Sequence, residues 1–306
     1  VRITLVTPCY NAARFIAETI ESVLAQDVPD LEYFVLDGGS KDGTPEVIRR
    51  YESRLAWWVS EPDSGQTNAI NRGLKRATGD VLGFLNADDV LTPGALRAVL
   101  EAFEKNTDAE LAVGEVEWID AASAAVGTKH SGSIANLAEA LDIYRVWWGQ
   151  RQFVQPEVFF RRSLWERVGA FDEGYHLAFD YDYWVRCFRA GARVAKVPRP
   201  LVRFRLHDAQ KSVAAEEAAN EIRAIVRKTL DADPPIPRSL RRRIEAQLSY
   251  DLYQLGRESW AGQPRPSFGA ALLRHPSWIF SPEVRARLQS ACQRRLFHAK
   301  DGSSHP

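Results

Sequence analysis

The stretch "GDVLGFLNADDVLTPG", residues 79–94, decides how the chain folds. Val81 to Leu85 read as a short buried strand that stops at an amide and two adjacent carboxylates, Asn86, Asp88 and Asp89. Neighbouring acids repel unless water screens them or a positive group sits beside them. The helical pattern "GALRAVLEAFEK" (94–105) follows. Strand, acidic tip and helix together form the repeating unit of a parallel, doubly wound sheet.

Working outward, the same alternation recurs. "ITLVT" (3–7) is an apolar run ended by Pro8, and Ala12 to Gln26 carries Phe15, Ile16, Ile20, Val23 and Leu24 at helical spacing. "YFVLD" (33–37) reads as a second strand, and "DGGSKDGT" (37–44) as a turn before Pro45 at a helix start. "LAWWVS" (55–60) is a third strand, Thr67–Arg76 a helix, and "ELAVGEVEWI" (110–119) a strand beyond the opening stretch. The pattern loosens between Asp120 and Gln155, around the aromatic "YRVWWGQRQF", and a second organised block runs from Pro156 to Ser212. From Val213, helical patterns broken by "DADPPIP" and "GQPRP" predict a C-terminal appendage. The expected division is therefore an α/β domain over 1–212, with halves at about 1–120 and 121–212, and a helical appendage over 213–306.

The chain has 40 basic and 40 acidic residues, so overall charge predicts no nucleic-acid partner. The balance hides an asymmetry: residues 1–200 carry 22 basic and 29 acidic side chains, residues 201–306 carry 18 and 11. Two readings of the basic appendage stand, peripheral contact with an anionic membrane or a helical cap or homodimer contact. Cys9, Cys187 and Cys292 are widely spaced, which predicts a reducing, cytoplasmic setting and no cysteine metal site. With no run of 18 apolar residues and a strand pattern at the N-terminus, neither a membrane span nor a leader is expected. The sequence lacks methionine even at position 1, which points to a chain shorter than the translated product.

In open α/β sheets ligands gather at the carboxyl ends of the strands. Those ends carry Thr7, Pro8, Tyr10 and Asn11; Asp37; Glu61 and Asp63; and Asn86, Asp88 and Asp89. Any one of these acids is commonly a helix cap or turn residue. Four successive strands ending this way predict a binding edge. A carboxylate at the second tip suits a ribose or base edge, and the pair at the fourth suits a hard cation carrying diphosphate oxygens.

"TPCYNAARFIAETIESVLAQ", "DGGSKDGT", "SEPDSGQTNAINRGLKRATGDVLGFLNADD" and "GAFDEGYHLAFDYDYWVRCFRAGARVAKVPRPLVRFRLHDAQKS" together resemble glycosyltransferase family 2, over about residues 3–212. The resemblance implies the GT-A fold, a Rossmann-like doubly wound mixed sheet, here with the helical appendage added. It implies a metal-dependent inverting transferase that moves a sugar from a UDP-, GDP- or dTDP-sugar to a saccharide or lipid-linked saccharide, in polysaccharide or glycolipid assembly. On this resemblance Thr7, Pro8, Tyr10 and Asn11 face the nucleotide, Asp37 contacts the base or ribose, and Asp63 and Asn68 belong to the base-reading loop and helix. "NADD" stands at the family's DxD motif, so Asp88 is the Mn²⁺ or Mg²⁺ ligand and Asp89 its sugar-side support. Asn86 departs from the pattern and offers an amide to a ribose hydroxyl, with no charge for the metal. His207 matches a late histidine that completes the metal shell, and Lys211 turns to the diphosphate. Asp180 matches the catalytic base, with Phe179 where the family has Glu. Asp182, Gln155 and Trp148 fall on the acceptor side, while Arg186, Arg203 and Arg205 pair with acids or phosphate.

Rival enzymes lack their motifs. A nucleotidyltransferase or dinucleotide dehydrogenase needs a glycine-rich loop where "TPCYN" stands, and an aspartyl phosphatase needs a nucleophilic acid in place of Asn86. Asn86 and Phe179 leave one alternative of a different class, a non-catalytic nucleotide-sugar-binding relative serving as a partner subunit.

Overall fold

The computed structural model describes residues 1–129, 132–208, 210, 215–254 and 267–290. They form two compact units, Val1–Ala140 with Arg151–Ile225, and Leu141–Gln150 with Val226–Pro306.

The first unit is built on β1 (Ile3–Cys9), β2 (Leu31–Asp37), β3 (Trp57–Ser60), β4 (Val81–Phe84), β5 (Val90–Leu91), β6 (Leu111–Ile119), β7 (Ala125–Lys129), β8 (Val158–Arg161) and β9 (Val194–Arg205). The sheet order is β3-β2-β1-β4-β8-β6-β9-β5, with β7 alongside β6. Every residue of β1 is buried, as a central strand covered on both faces requires. On one face Ile3, Leu5 and Cys9 pack with Ile16, Ile20 and Val23 of α1 (Ile16–Leu24) and with Leu96, Val99 and Phe103 of α4 (Ala95–Lys105). On the other face Val6 meets α3 (Gln66–Arg76) at Gly73, where a Cβ would lie 2.6 Å from Val6 Cγ1. A glycine is required there for the helix to sit this close. α2 (Thr44–Arg49) completes the N-terminal layers.

The pairing directions fix where the site forms. β1, β2, β3 and β4 are mutually parallel. β8 is antiparallel to both β4 and β6, and β6 is parallel to β9. β4, β6 and β9 therefore run the same way, and their carboxyl ends join those of β1–β3 along one edge. The sheet is mixed, as the GT-A resemblance implies. The antiparallel strands β5 and β8 have no distinct signal in the sequence. The third strand, Trp57–Ser60, is two residues shorter than its pattern and follows a 3-10 turn at Glu52–Arg54. β9 shifts register against β6 between Val113 and Val116, opposite a stretch holding Pro198 and Pro200, which have no N–H to pair. Past that irregularity β9 delivers Arg205 and His207 to the shared edge.

In the loosened segment lie β7, α5 (Leu137–Ala140) and a π turn at Tyr144–Trp148. α6 (Arg162–Val168) and α7 (Phe179–Arg189) precede β9. The helices beyond are α8 (Ala215–Asp231), α9 (Arg238–Gln254) and α10 (Phe268–Arg274). The sequence pattern breaks at residue 212, whereas the compact units divide within α8, after Ile225, and the second unit takes in residues 141–150. No helix among the described residues is long and apolar enough to cross a membrane.

Candidate active site

The tip of β4 is a hydrogen-bonded acidic loop. Asp89 is fully buried, its Oδ1 accepting the Arg205 backbone N–H at 3.0 Å and its Oδ2 the Asn86 amide at 3.1 Å. Asn86 Oδ1 in turn accepts from Gln66 Nε2 at 2.8 Å. Burial, with the charge of Asp88 adding to it, pushes the Asp89 carboxyl well above its ordinary range, against the pull of Arg205 and Asn86. Both ends of the Asn86 amide thus have a partner inside the protein. It links the start of α3 to Asp89. Asn86→Asp would replace a donor facing Asp89 with a third acid. The expected cost is about 1–3 kcal/mol of stability, measured by urea unfolding.

Asp88 turns the other way. Its Oδ2 lies 3.0 Å from His207 Nε2, and both side chains keep some exposure. The His207 ring packs on Phe15 with centroids 5.0 Å apart, and its backbone N–H donates to Gln210. Among the described residues no group of three or more His, Cys, Asp or Glu converges as a ready metal cage. One carboxylate and one imidazole held in contact nevertheless suit a cation that draws its remaining ligands from water and substrate phosphates, as Mg²⁺ commonly does.

Beneath this pair lies Arg205, whose side chain is 1% exposed. Its Nε donates to the Asp88 carbonyl at 2.8 Å, one terminal nitrogen to Ser123 Oγ at 2.7 Å and the Asp120 carbonyl at 3.3 Å, and the other to Glu18 at 2.6 Å. The guanidinium stacks over the Phe15 ring, 4.7 Å from its centroid. Arg205 therefore ties the β4 tip to α1 and to the turn after β6. Arg203 stays outside this cluster, with Glu117 at 3.3 Å and the Ser123 carbonyl as partners.

At the first and second strand tips the structure divides the candidates. Thr7 is buried, its hydroxyl 3.0 Å from the Tyr33 hydroxyl, and Pro8 is buried too. Both shape the loop from below. Tyr10 is 65% exposed on the same edge. Asn11 has φ 50°, with its side chain accepting from the Lys41 N–H and its own N–H donating to Ser40. Asp37 is 2% exposed and accepts from the Ser40 N–H, the Ser40 hydroxyl, the Ser60 hydroxyl and the Cys9 thiol. Those four bonds use the lone-pair directions of a carboxylate. Asp37 thereby braces the turn that follows β2, at the strand tip where the sequence places a base or ribose contact. Asp63 caps the approach to α3 by accepting the Gly65 N–H at 2.8 Å, and lies beside Gly38. Asn68 bonds Glu173 at 3.1 Å, and Asn71 bonds both Glu173 and the backbone of Phe171. Ser64, Gly65, Gln66, Asn68, Glu173 and His176 line a small cleft there.

Asp180 lies in the first turn of α7. The preceding Phe179 packs on Phe84, the last residue of β4, with centroids 6.1 Å apart. This apolar contact accounts for a phenylalanine at 179, and it anchors the start of α7 against the carboxyl end of β4. Asp180 is half-buried at its surface but densely surrounded, and desolvation pushes its carboxyl up to about 7. Glu221 of α8 adds to the rise while accepting the N–H groups of His176, Leu177 and Ala178 at 2.9, 2.8 and 2.7 Å.

The acceptor-side candidates separate. Gln155 is 8% exposed and donates to the Phe84 carbonyl at 2.8 Å, leaving its Oε1 buried without a partner among the described residues. Asp182 is 3% exposed and holds Arg186 at 2.7 Å, which also grips the carbonyls of Val168 and Ala170. Two residues past Asp180 on a helix, Asp182 faces a different direction from it and is buried. Trp148 falls in the second unit, and its side chain, like Lys211, lies outside the described parts.

The glycosyl transferase family 2 model matches residues 4–169, more than half of the chain. The chain belongs to glycosyl transferase family 2. Among relatives of this family member, an uncharacterized glycosyltransferase of Rickettsia typhi is 26% identical over 230 residues, 73% of this chain and 70% of that one. A PGL/p-HBAD biosynthesis glycosyltransferase of Mycobacterium tuberculosis is 28% identical over 196 residues, 63% of this chain and 72% of that one. Among solved structures, S. aureus TarS 1-349 in complex with UDP-GlcNAc superposes with a TM-score of 0.65 at 19% identity, covering 91% of this chain and 79% of that one. The chain spans 44% of the longer TarS chain. The mannosyltransferase PcManGT from Pyrobaculum calidifontis, in complex with GDP-Man and Mn2+, gives 0.58 at 20% identity, over 93% and 82%. At such identities the structures establish the GT-A fold.

For this family 2 transferase, sequence reasoning passed over three residues that organise the site. Glu221 and Glu173 lie beyond the family match, and Gln66 is a polar residue on a polar helix. Their local sequence carries no signal, since each acts on a partner at least 20 positions away. Arg205 was legible as an arginine near acids, but not as a buried one.

Proposed function

We propose that the chain is a metal-dependent inverting glycosyltransferase that moves a sugar from a nucleotide-diphospho-sugar to an acceptor hydroxyl. The observation that carries this reading is the Asp88–His207 contact on the strand edge, in a unit where Asp180 is a carboxyl tuned to about 7. Asp180 takes the proton of the acceptor hydroxyl, whose oxygen forms the new glycosidic bond as the bond from the anomeric carbon to the diphosphate breaks. Attack from the face opposite the leaving group inverts the anomeric centre, and a base poised near working pH contributes about 10²–10⁴-fold. Asp88 and His207 would hold a Mn²⁺ or Mg²⁺ ion, which when bound neutralises charge on the diphosphate. Arg205 keeps the Asp88 backbone in place, and Tyr10 offers an exposed ring to the nucleotide.

The solved relatives carry UDP, UDP-GlcNAc, or GDP-Man with Mn2+, which supports a nucleoside diphosphate donor. The part in PGL/p-HBAD biosynthesis named for the mycobacterial relative supports a glycolipid or lipid-linked saccharide acceptor. The decisive experiment is a thermal-shift panel of UDP, GDP and dTDP with and without Mn²⁺. One diphosphate should raise the melting temperature with Mn²⁺, by an amount equivalent to about 2.7 kcal/mol at a hundredfold excess over Kd. Asp88→Ala should lose the metal-dependent part; an unchanged shift would remove Asp88 as a ligand. Slow donor hydrolysis by the wild type would separate the enzyme from a non-catalytic binding subunit, which binds donor and leaves it intact.

A further inference from the structure

The basic excess of the C-terminal third is confined to one part of it. Residues 201–237 hold six basic and six acidic side chains, and residues 238–306 hold twelve and five. Among the described residues of that segment the acids are turned inward or tied up. Glu245 pairs with Arg241, Glu283 accepts from Ser281 and Gln247, and Asp251 is 4% exposed. Arg238, Arg242, Arg274 and Arg285 are exposed.

The same unit carries an unusual apolar surface. Seven large apolar side chains are exposed among the described residues, and three of them, Leu273 at 86%, Ile279 at 48% and Phe280 at 43%, fall within eight positions. The interior of this unit is occupied by other side chains of the same segment. Trp278 is completely buried, donates to Ser249 Oγ at 2.8 Å, and packs against His275, Tyr250 and Tyr253. Ala271 and Val284 fill the same cluster. The turn at Pro276–Phe280 is thus clamped by Trp278 while its neighbours project, and the Arg242 guanidinium lies 6.0 Å from the centre of the Phe280 ring.

We propose that Leu273, Ile279 and Phe280, flanked by Arg242 and Arg274, form a surface that docks on an anionic lipid bilayer. The apolar side chains enter the boundary between headgroups and acyl chains, and the arginines meet lipid phosphates. Charge decides for this occupant: a second copy joined through this same face would bring the arginines against themselves, whereas anionic lipid complements them. The inference is independent of the donor site and is tested apart from it.

The test is co-sedimentation of the full chain with phosphatidylcholine vesicles, with and without phosphatidylglycerol, at low and high salt. Wild type should pellet with the anionic vesicles at low salt, much less at high salt, and not with neutral ones. Arg242→Glu/Arg274→Glu should weaken binding at least about tenfold, and Leu273→Ser/Phe280→Ser by a similar factor. Both double variants should keep the wild-type melting temperature and its nucleotide-dependent shift, so a loss of pelleting reports the surface and not the fold or the donor site. Equal pelleting with neutral vesicles, no pelleting, or variants that bind like wild type would each overturn the proposal. So would a concentration-dependent doubling of mass, without lipid, that Leu273→Ser/Phe280→Ser abolishes, since it would assign the surface to a second copy.

Discussion

Asp180→Asn is expected to lose about 10²–10⁴-fold in transfer rate while leaving nucleotide binding intact and the fold at least as stable at pH 8. The stability half follows from linkage. Desolvation raises the folded carboxyl to about 7 from an ordinary value near 3.8. Between those values the unfolded chain has released a proton that the folded chain still holds, so stability falls as pH rises through that window. An amide at 180 never ionises, and the variant should escape this decline. Wild-type kcat/KM should rise with pH through about 7 and level off above, because the base must be unprotonated in the free enzyme. Glu221→Gln removes a like charge that raises Asp180, so the rising limb should move to lower pH. A limb that stays in place would deny Glu221 its influence, and wild-type turnover by Asp180→Asn would remove Asp180 as the base.

Arg205→Met should be the most destabilising single change at the site, by about 3–5 kcal/mol. The substitution leaves the Asp88 carbonyl, Ser123 and the buried Asp89 without a cation nearby, after deleting a guanidinium with four side-chain hydrogen bonds. Glu18→Gln keeps an acceptor for Arg205 but removes the carboxylate charge at a side chain 42% exposed, and should cost about 1 kcal/mol or less. The contrast tests whether Arg205 acts as a hub or as one half of an ion pair. At temperatures where Arg205→Met remains folded, its Mn²⁺-dependent nucleotide shift should be lost while any metal-free binding persists, because the residue holds the backbone that carries Asp88. Arg205→Lys should recover stability in part and the metal dependence little, since one ammonium cannot span the Asp88 carbonyl, Ser123 and Glu18 together. Urea unfolding of the four proteins measures the first effect, and thermal shift with and without Mn²⁺ the second.

The alternation of strands and helices, the tips that carry polar residues and the motif at 86–89 were all readable along the chain. Periodicity is a local property, set by which face of each element is covered. The same holds for the break at "DADPPIP", which separates α8 from α9. Asp88, Asp180 and His207 were singled out before any geometry was known because their flanking motifs resemble those of the family. What each polar atom does was not readable. Asp37 accepts from Ser40, Ser60 and Cys9, and Asp182 holds Arg186, partners that their local sequence does not announce. Asn86 spends both ends of its amide on Gln66 and Asp89.

The sequence by itself determined the elements, their approximate order in an α/β sheet and the chemical alphabet at the strand ends, because backbone propensity and apolar period act over a few residues. Only the tertiary structure decided that β8 runs antiparallel between β4 and β6, that β9 brings Arg205 under the acidic tip, and that Glu221 of α8 touches the start of the helix holding Asp180. Those outcomes depend on hydrogen bonds between residues 43 to 187 positions apart. Which of a carboxylate's lone pairs remain open is settled by such distant partners, and no local pattern records them.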